Sequence, residues 1–538
     1  MSSTQISQLN KTELQEKGEI LDGLILQLES DLAQARIDRE MVRRSLNAIV
    51  NSHAAWSKLP NEILAKVFQH CVDADTGGHA LSGWAAPWML ARICQRWREV
   101  VVSTPMLWNI IRIRTKHNCH NPLKMVEIWI ERSRPLLISC LVIFDGCHAD
   151  DETQFETAIF HLLLHSYARW RHLHIRFIGG PLRRPDRADL YYALLVNSHH
   201  LPLLESIHIH INALDTHLDA QRKFEWTAPK LWDASIRVAV EPLPLTLPSP
   251  SSWSQLQALE WTTEGPPYEF LKAISTLPHL QILSISIALA QTHIEQWESP
   301  PSMVILSTLH RLQLDDYANR IGQIISFLYI PNLTDLSILG TSSDGDRNTL
   351  HLIADLQRRS SCRLERLNVP CRTLDIPDLM NSAARLPTIQ ELHLLFPHED
   401  CGADAIRGLL KIDIFPELRA LHLVINPTPL MTTFLQNVVE VVHARRQRIL
   451  NRQMTCLSLL SIDTIKYHGP PKPSPQANTR PFQQLLELQA EGLQLLGRIV
   501  DGRWCSPHPE SILWDLEQHE RRRARFGYSD WLVNEWGD

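Results

Sequence analysis

The sequence predicts an α/β fold. A long N-terminal helix and a small three-helix module precede a solenoid of strand-plus-helix units with a parallel sheet. Three observations carry that prediction. Apolar residues recur every seven positions over residues 12–52. Two apolar runs at helical spacing lie between residues 59 and 108. Farther along, the pattern Pro-x-Leu-x-x-Leu-x-Leu returns every 24 to 31 residues. A chain of 538 residues is too long for one hydrophobic core, so several units are expected.

The first element occupies residues 1–55. Leu14, Leu21, Leu28, Ala35, Val42 and Ile49 are spaced by seven, and Ile25, Leu32 and Leu46 complete an a/d seam. Gly18 and Arg39 interrupt it. The seam can serve a coiled-coil dimer or pack in cis. With so few residues between it and Trp56, packing in cis is the favoured expectation.

The second element covers residues 56–112. Pro60 suits the first position of a helix, where its missing N–H is no loss. Ile63, Leu64, Val67 and Phe68 follow on one face. A second run places Leu90, Ile93, Cys94, Trp97 and Val100 or Val101 on one stripe, and Ser103 or Thr104 before Pro105 reads as a capped third start. A body this small leans on a neighbour.

LPNEILAKVF followed by ICQRWREVVVSTPMLW resembles the F-box, in a variant with a long filler (Val72–Gly78) similar to those of mushroom-forming fungi. The resemblance implies docking on a Skp-type adaptor, and through it on a cullin. The residues it implicates are Leu59, Pro60, Ile63, Leu64, Phe68, Trp97 and Trp108. Phe68 and Trp97 are expected to divide between adaptor contact and the module's own core.

The third element runs over residues 113–465. A helix near Val126–Arg132 and a strand at Leu136–Phe144 lead into the repeats, whose first apolar anchors stand at 204, 231, 256, 280, 309, 333, 364, 389 and 418. Flanking copies begin at Trp170 and Met454. Helical stretches fall between them at Tyr268–Thr276, Ile321–Leu328, Leu350–Arg359, Asp404–Leu410 and Phe434–Arg445. This period and pattern resemble leucine-rich repeats, whose units bury their leucines only by stacking. The Asn or Cys that evens out regular arrays occurs only as Asn212 and Asn426, which predicts an irregular, partly twisted horseshoe.

Between the two strand leucines of each repeat, the intervening side chain is expected on the concave face. That row reads His174, His208, Ser235, Glu260, Ser284, Gln313, Ser337, Asn368, His393, His422 and Ser458. It is the candidate surface for an unidentified protein target. A half-exposed strand of any function also carries such a row. Residues 466–480 are a Pro-rich linker, and residues 481–538 a helical cap and tail, with one amphipathic helix expected over 481–500. Arg521–Arg525 reads as a solvated helix end in preference to a nuclear signal.

Several function classes are disfavoured. Net charge of −6 is not that of a general nucleic-acid binder. No run of 18 apolar residues suggests a membrane span. Ten cysteines without CxxC pairs fit reduced thiols of cytosol or nucleus. Cys140, Cys147 and His148, with Cys119 and His120, come nearest to a metal cluster, and a buried structural thiol is favoured for Cys140. Nucleotide-loop, nucleophile-elbow and zinc motifs are absent, so neither cofactor, metal nor catalysis is expected. The expected role is therefore a substrate receptor of a cullin-type ubiquitin ligase. The alternative is an interaction scaffold that uses the same surfaces without ubiquitin transfer.

Overall fold

The computed structural model describes residues 11–53, 55–75, 79–115, 121–144, 150–177, 199–211, 226–238, 253–263, 267–287, 302–316, 321–339, 349–370, 385–396, 415–425, 431–449, 457–464, 480–496, 498–500 and 503–505. The chain divides into two compact units, residues 1–68 and 69–538.

The first unit holds helix α1 (Lys11–His53), a 3-10 turn (Ala55–Lys58) and the start of α2 (Asn61–Ala74). α1 matches the heptad reading in extent, but its seam stands open: Leu21, Leu28 and Val42 are each more than half exposed. Helix α2 begins one residue after the predicted position. Pro60 precedes it and accepts from the amides of Ile63 and Leu64 at 3.1 Å each.

The second unit continues α2 and adds α3 (Ala86–Ile93) and α4 (Gln95–Val102). The single stripe expected from Leu90 to Val101 is broken at Cys94, whose backbone is extended. Its thiol accepts from the amide of Trp97 at 3.5 Å and so caps α4. The break leaves Ile93 exposed. Pro105–Leu107 forms a 3-10 turn without the expected cap, because the Thr104 hydroxyl donates to Val100 O at 2.6 Å.

From Ile110 onward the unit is built on a large parallel sheet, beginning inside the stretch assigned to the helical module. Among the described residues it has 14 strands, paired in chain order. They are β1 (Ile110–Arg114), β2 (Ile138–Phe144), β3 (Trp170–Phe177), β4 (Ser206–Ile211), β5 (Asp233–Val238), β6 (Ala258–Thr263) and β7 (Ile282–Ile287). The series continues with β8 (Arg311–Asp316), β9 (Asp335–Leu339), β10 (Arg366–Pro370), β11 (Glu391–Phe396), β12 (Ala420–Ile425), β13 (Leu459–Thr464) and β14 (Gln494–Leu496). Helices α5 (Pro122–Arg132), α6 (Asp150–Leu164), α7 (Pro267–Ile274), α8 (Ile321–Ser326), α9 (Thr349–Ser360), α10 (Met431–Ile449) and α11 (Arg480–Ala490) intervene. The Asp404–Leu410 helix, the Pro-rich linker, Asn212, Asn426 and the arginine tail lie outside the described residues.

The Pro-x-Leu signature has a local cause. In Leu201–Leu204, Ala228–Leu231, Ile330–Leu333 and Phe415–Leu418, the fourth amide bonds the first carbonyl, at 3.0–3.3 Å. Proline therefore occupies the second position of a tight turn, which its fixed φ favours. The anchor that follows is buried in every unit, from Leu204 to Leu418. Each strand begins two residues after its anchor. Amides of residues just before the strands then bond carbonyls of the preceding unit: Glu205 to Arg171, Trp232 to Glu205 and Gln257 to Trp232, at 2.8–3.0 Å. Strand leucines form the core, with Leu283, Leu312, Leu336 and Leu367 in register and shielded from solvent.

The C-terminal end differs from expectation. Instead of one helix over 481–500, α11 stops at Ala490. Gly492 adopts φ 98°, and the Leu493 amide reaches back to Leu488 O at 3.0 Å. This is a left-handed helix stop, for which glycine is the suited residue. Leu493 is buried, and β14 extends the sheet. Residues 498–500 and 503–505 pair antiparallel.

Candidate interaction surfaces

The helical segment sorts its residues into two sets. Leu64, Phe68 and Trp108 are almost fully buried. Their predicted place as adaptor contacts is corrected accordingly: they hold the fold from within. Leu59, Ile63 and Val67 are 36%, 42% and 46% exposed, Pro60 is exposed, and Trp97 is half-buried. Ile63 and Val67 on α2, with Leu59 just before the helix, are spaced by four and form one apolar strip.

In the second unit, Trp108 is the centre of an aromatic cluster. Its ring meets Trp88 and Trp129 edge-on at 5.1 and 5.0 Å, the geometry that aromatic quadrupoles prefer. The Arg132 guanidinium lies 4.6 Å from the Trp108 ring centroid, and Trp108 Nε1 donates to Val101 O at 2.8 Å. Trp129 belongs to α5, so this cluster fastens α3 and α4 to the first strand units.

The predicted polar row is assembled in register. His174, His208, Ser235, Glu260, Ser284, Gln313, Ser337, Asn368, His393 and His422 are successive partners along the ladder. One member is corrected: His422 pairs with Ser461, not Ser458, because β13 starts two residues after its anchor Leu457. A second correction concerns exposure. Ser235, Ser337, Asn368, His393, His422 and Ser461 are buried, and the other members are half-buried.

The row is covered because its members bond one another. Asn368 Nδ2 donates to Ser337 Oγ at 3.0 Å, and Ser235 Oγ to Glu260 at 2.5 Å. The rings of His174 and His208 stack at 5.5 Å, and those of His393 and His422 at 4.0 Å. Neighbouring parallel strands bring such side chains within reach, and pairing offsets the cost of burying them.

A second column, two residues earlier on each strand and so on the same face, was missed. It reads Ser206, Asp233, Ala258, Ile282, Arg311, Asp335, Arg366, Glu391. Over its last four positions the charge alternates. Buried Asp335 pairs with Arg366 and lies 3.9 Å from Arg311. At the other end, His208 Nε2 lies 3.1 Å from Asp233 and His172 Nδ1 2.9 Å from Ser206 Oγ. Burial, reinforced by Arg171, lowers the His172 pKa to about 4, so the ring is neutral at pH 7. A third column on this face, Arg176, His210, Arg237, Thr262 and Ser286, is half-buried.

Glu391, His393 and His422 place one ligand-type atom each within 4.8 Å. Both Nε2 atoms approach Glu391 Oε1, at 2.8 and 3.3 Å. Burial alone would raise the Glu391 carboxyl, but hydrogen bonds from the two imidazoles outweigh it and hold the group well below the usual carboxylate range. Burial chiefly keeps His393 below its ordinary value. The two rings lie 9° from parallel, so their lone pairs run side by side and do not converge. An ion between them would sit well outside both ring planes, and the arrangement fits two hydrogen bonds to a shared carboxylate better than metal ligation. Cys140 is buried and its thiol pKa is pushed up to about 12 by burial, as suits an inert core thiol; Cys119, His120, Cys147 and His148 lie outside the described residues.

Among the described residues no helix is long and apolar enough to cross a membrane. The chain is α/β, with a large parallel sheet and intervening helices. Comparison of the sequence with protein-family models and with curated proteins finds no match.

Proposed function

We propose that this chain is the substrate-recognition subunit of a Skp/cullin/F-box type ubiquitin ligase, with residues 56–112 as an F-box and the strand units as irregular leucine-rich repeats. The observation that supports it most is the apolar strip Leu59, Ile63 and Val67, left open at the start of a helix whose Leu64, Phe68 and Val72 are buried. Apolar side chains set apart in this way suit a docking face. On this reading Leu59, Pro60 and Ile63 meet the adaptor, with Trp97 at the margin. The polar face of the sheet meets the target. The protein contributes proximity, bringing target lysines near a charged ubiquitin carrier.

Affinity purification of the full chain tests the reading. A Skp-type adaptor and a cullin are expected together, and Ile63→Glu should abolish both. Adaptor capture unchanged by Ile63→Glu removes this surface from the assignment. Adaptor without cullin overturns the ligase and leaves an interaction scaffold.

A further inference from the structure

The seam of α1 is the largest exposed apolar feature among the described residues. Ile25, Leu28, Leu32 and Leu46 are each more than half exposed. We propose that it pairs with the same seam of a second copy of this chain, as a parallel two-stranded coiled coil. This inference is independent of the ligase reading.

Setting Leu14, Leu21, Leu28, Ala35, Val42 and Ile49 at d places Gly18, Ile25, Leu32, Arg39 and Leu46 at a. Leucine at the first three d positions, with Ile25 between them at a, is the combination two strands accept best. The flanking charges then choose the partner and its direction. The g positions are Lys17, Leu24, Asp31, Asp38 and Ser45, and the e positions are Asp22, Glu29, Arg36, Arg43 and Val50.

In a parallel, in-register pair, each g residue meets the e residue of the next heptad across the seam. That matches Lys17 with Asp22, Asp31 with Arg36 and Asp38 with Arg43, each twice by symmetry, and no like charges meet at these positions. An antiparallel pair built on the same core layers sets Asp31 beside Asp38 of the other copy. Within one chain, the carboxylates of Asp31 and Asp38 take only amide donors, from Gln27 at 3.3 Å and Gln34 at 2.9 Å. Those contacts leave oxygens available to an arginine.

Arg39 is the single charged a position in the seam. One polar residue there lowers stability but selects register and strand number. Ala35 and Val42 on either side leave room for its stem, so the guanidinium can reach solvent. The apolar layers supply affinity, and the exposed ion pairs, weak individually, supply direction. A paired chain would carry two copies of the sheet's polar face, raising the effective concentration of one site once the other is engaged.

The test is the mass of the full chain in solution, by sedimentation over a concentration series. The wild type is expected at twice the chain mass, and Ile25→Asp with Leu32→Asp at one. Two charge variants guard against misfolding as the explanation. Arg36→Glu/Arg43→Glu and Asp31→Lys/Asp38→Lys should each weaken self-association, by about tenfold to a hundredfold. Mixed in equal amounts, they should pair with each other at wild-type strength. A wild-type chain that stays monomeric at every concentration overturns the proposal, as does a trimer or larger species. A mixture that pairs no better than either variant alone overturns the parallel register.

Discussion

Replacing Asp335 with alanine should cost about 3–5 kcal/mol of stability, because it takes a counter-charge away from a buried guanidinium. Both Asp335 and Arg311 are 4% exposed and sit opposite each other on adjacent strands. Arg366, the other partner of Asp335, has a side chain 29% exposed and can turn toward water. The cost therefore falls mainly on Arg311, which cannot. The Thr334 hydroxyl, which donates to Asp335 at 2.7 Å, is half-buried and adds less, on the order of 1 kcal/mol. If this ledger is right, removing the buried cation as well should restore stability, so Arg311→Met/Asp335→Ala should lose less than about 2 kcal/mol. Urea unfolding followed by tryptophan fluorescence measures the totals. Hydrogen exchange across 311–316, 335–339 and 366–370 shows whether the loss is local, as expected where each unit touches mainly its neighbours. A single variant costing under about 1 kcal/mol, or a double variant no better than the single, would refute the reasoning.

Three further outcomes follow from the same geometry. Leu64→Ala should lower stability by about 2–5 kcal/mol through the cavity it leaves, whereas Ile63→Ala, at an exposed site, should change it by less than about 0.5 kcal/mol; thermal unfolding separates them. Stability should fall with acid through His172, whose folded pKa of about 4 lies below its ordinary 6.5. The unfolded chain binds the proton first, so this contribution is whole above about pH 6.5 and is lost by about pH 4, roughly 3 kcal/mol in all. His172→Asn should flatten that part of the pH profile, and an unchanged slope would count against the assignment. Gly492→Ala should cost about 1 kcal/mol, since its φ of 98° strains any residue with a Cβ, and exchange at β14 should rise.

What the sequence disclosed follows the range of the interactions involved. The anchors, the strand alternation and the in-register row are products of a tight turn and a period of two. Both are local, and Pro331 with Leu333, Leu336 and Ile338 carries them within one short segment. The second polar column was illegible for the opposite reason. Its residues run from Asp233 through Ala258 and Ile282 to Arg311 and share no type, so only the register between strands aligns them. Helix α2 presents two apolar stripes at the same spacing, Ile63 and Val67, continued before the helix by Leu59, beside Leu64, Phe68 and Val72. Periodicity gives both and cannot choose which is buried; that depends on what packs against them. Cys94 and Gly492 were read as interior helix residues, although one is a cap and the other a stop.

The burial of the central row changes how recognition on the sheet should be understood. His208 and Asn368 direct polar atoms to neighbouring strands, and His393 to Glu391 of its own strand, so a target could take them only by breaking bonds within the face. Leaving such groups unsatisfied costs more than one new bond returns. On the proposed reading, specificity falls instead to the third column, where Thr262 and Ser286 remain partly open to solvent. The row beneath then acts as a register device: a one-residue slip of any strand would set an apolar side chain against a histidine or carboxylate. Alternating charge from Arg311 to Glu391 strengthens this, since each strand in that stretch sets a charge opposite in sign to those of its neighbours. Irregular spacing between anchors is tolerable in such a stack because the polar columns, more than the loop lengths, fix which residues align.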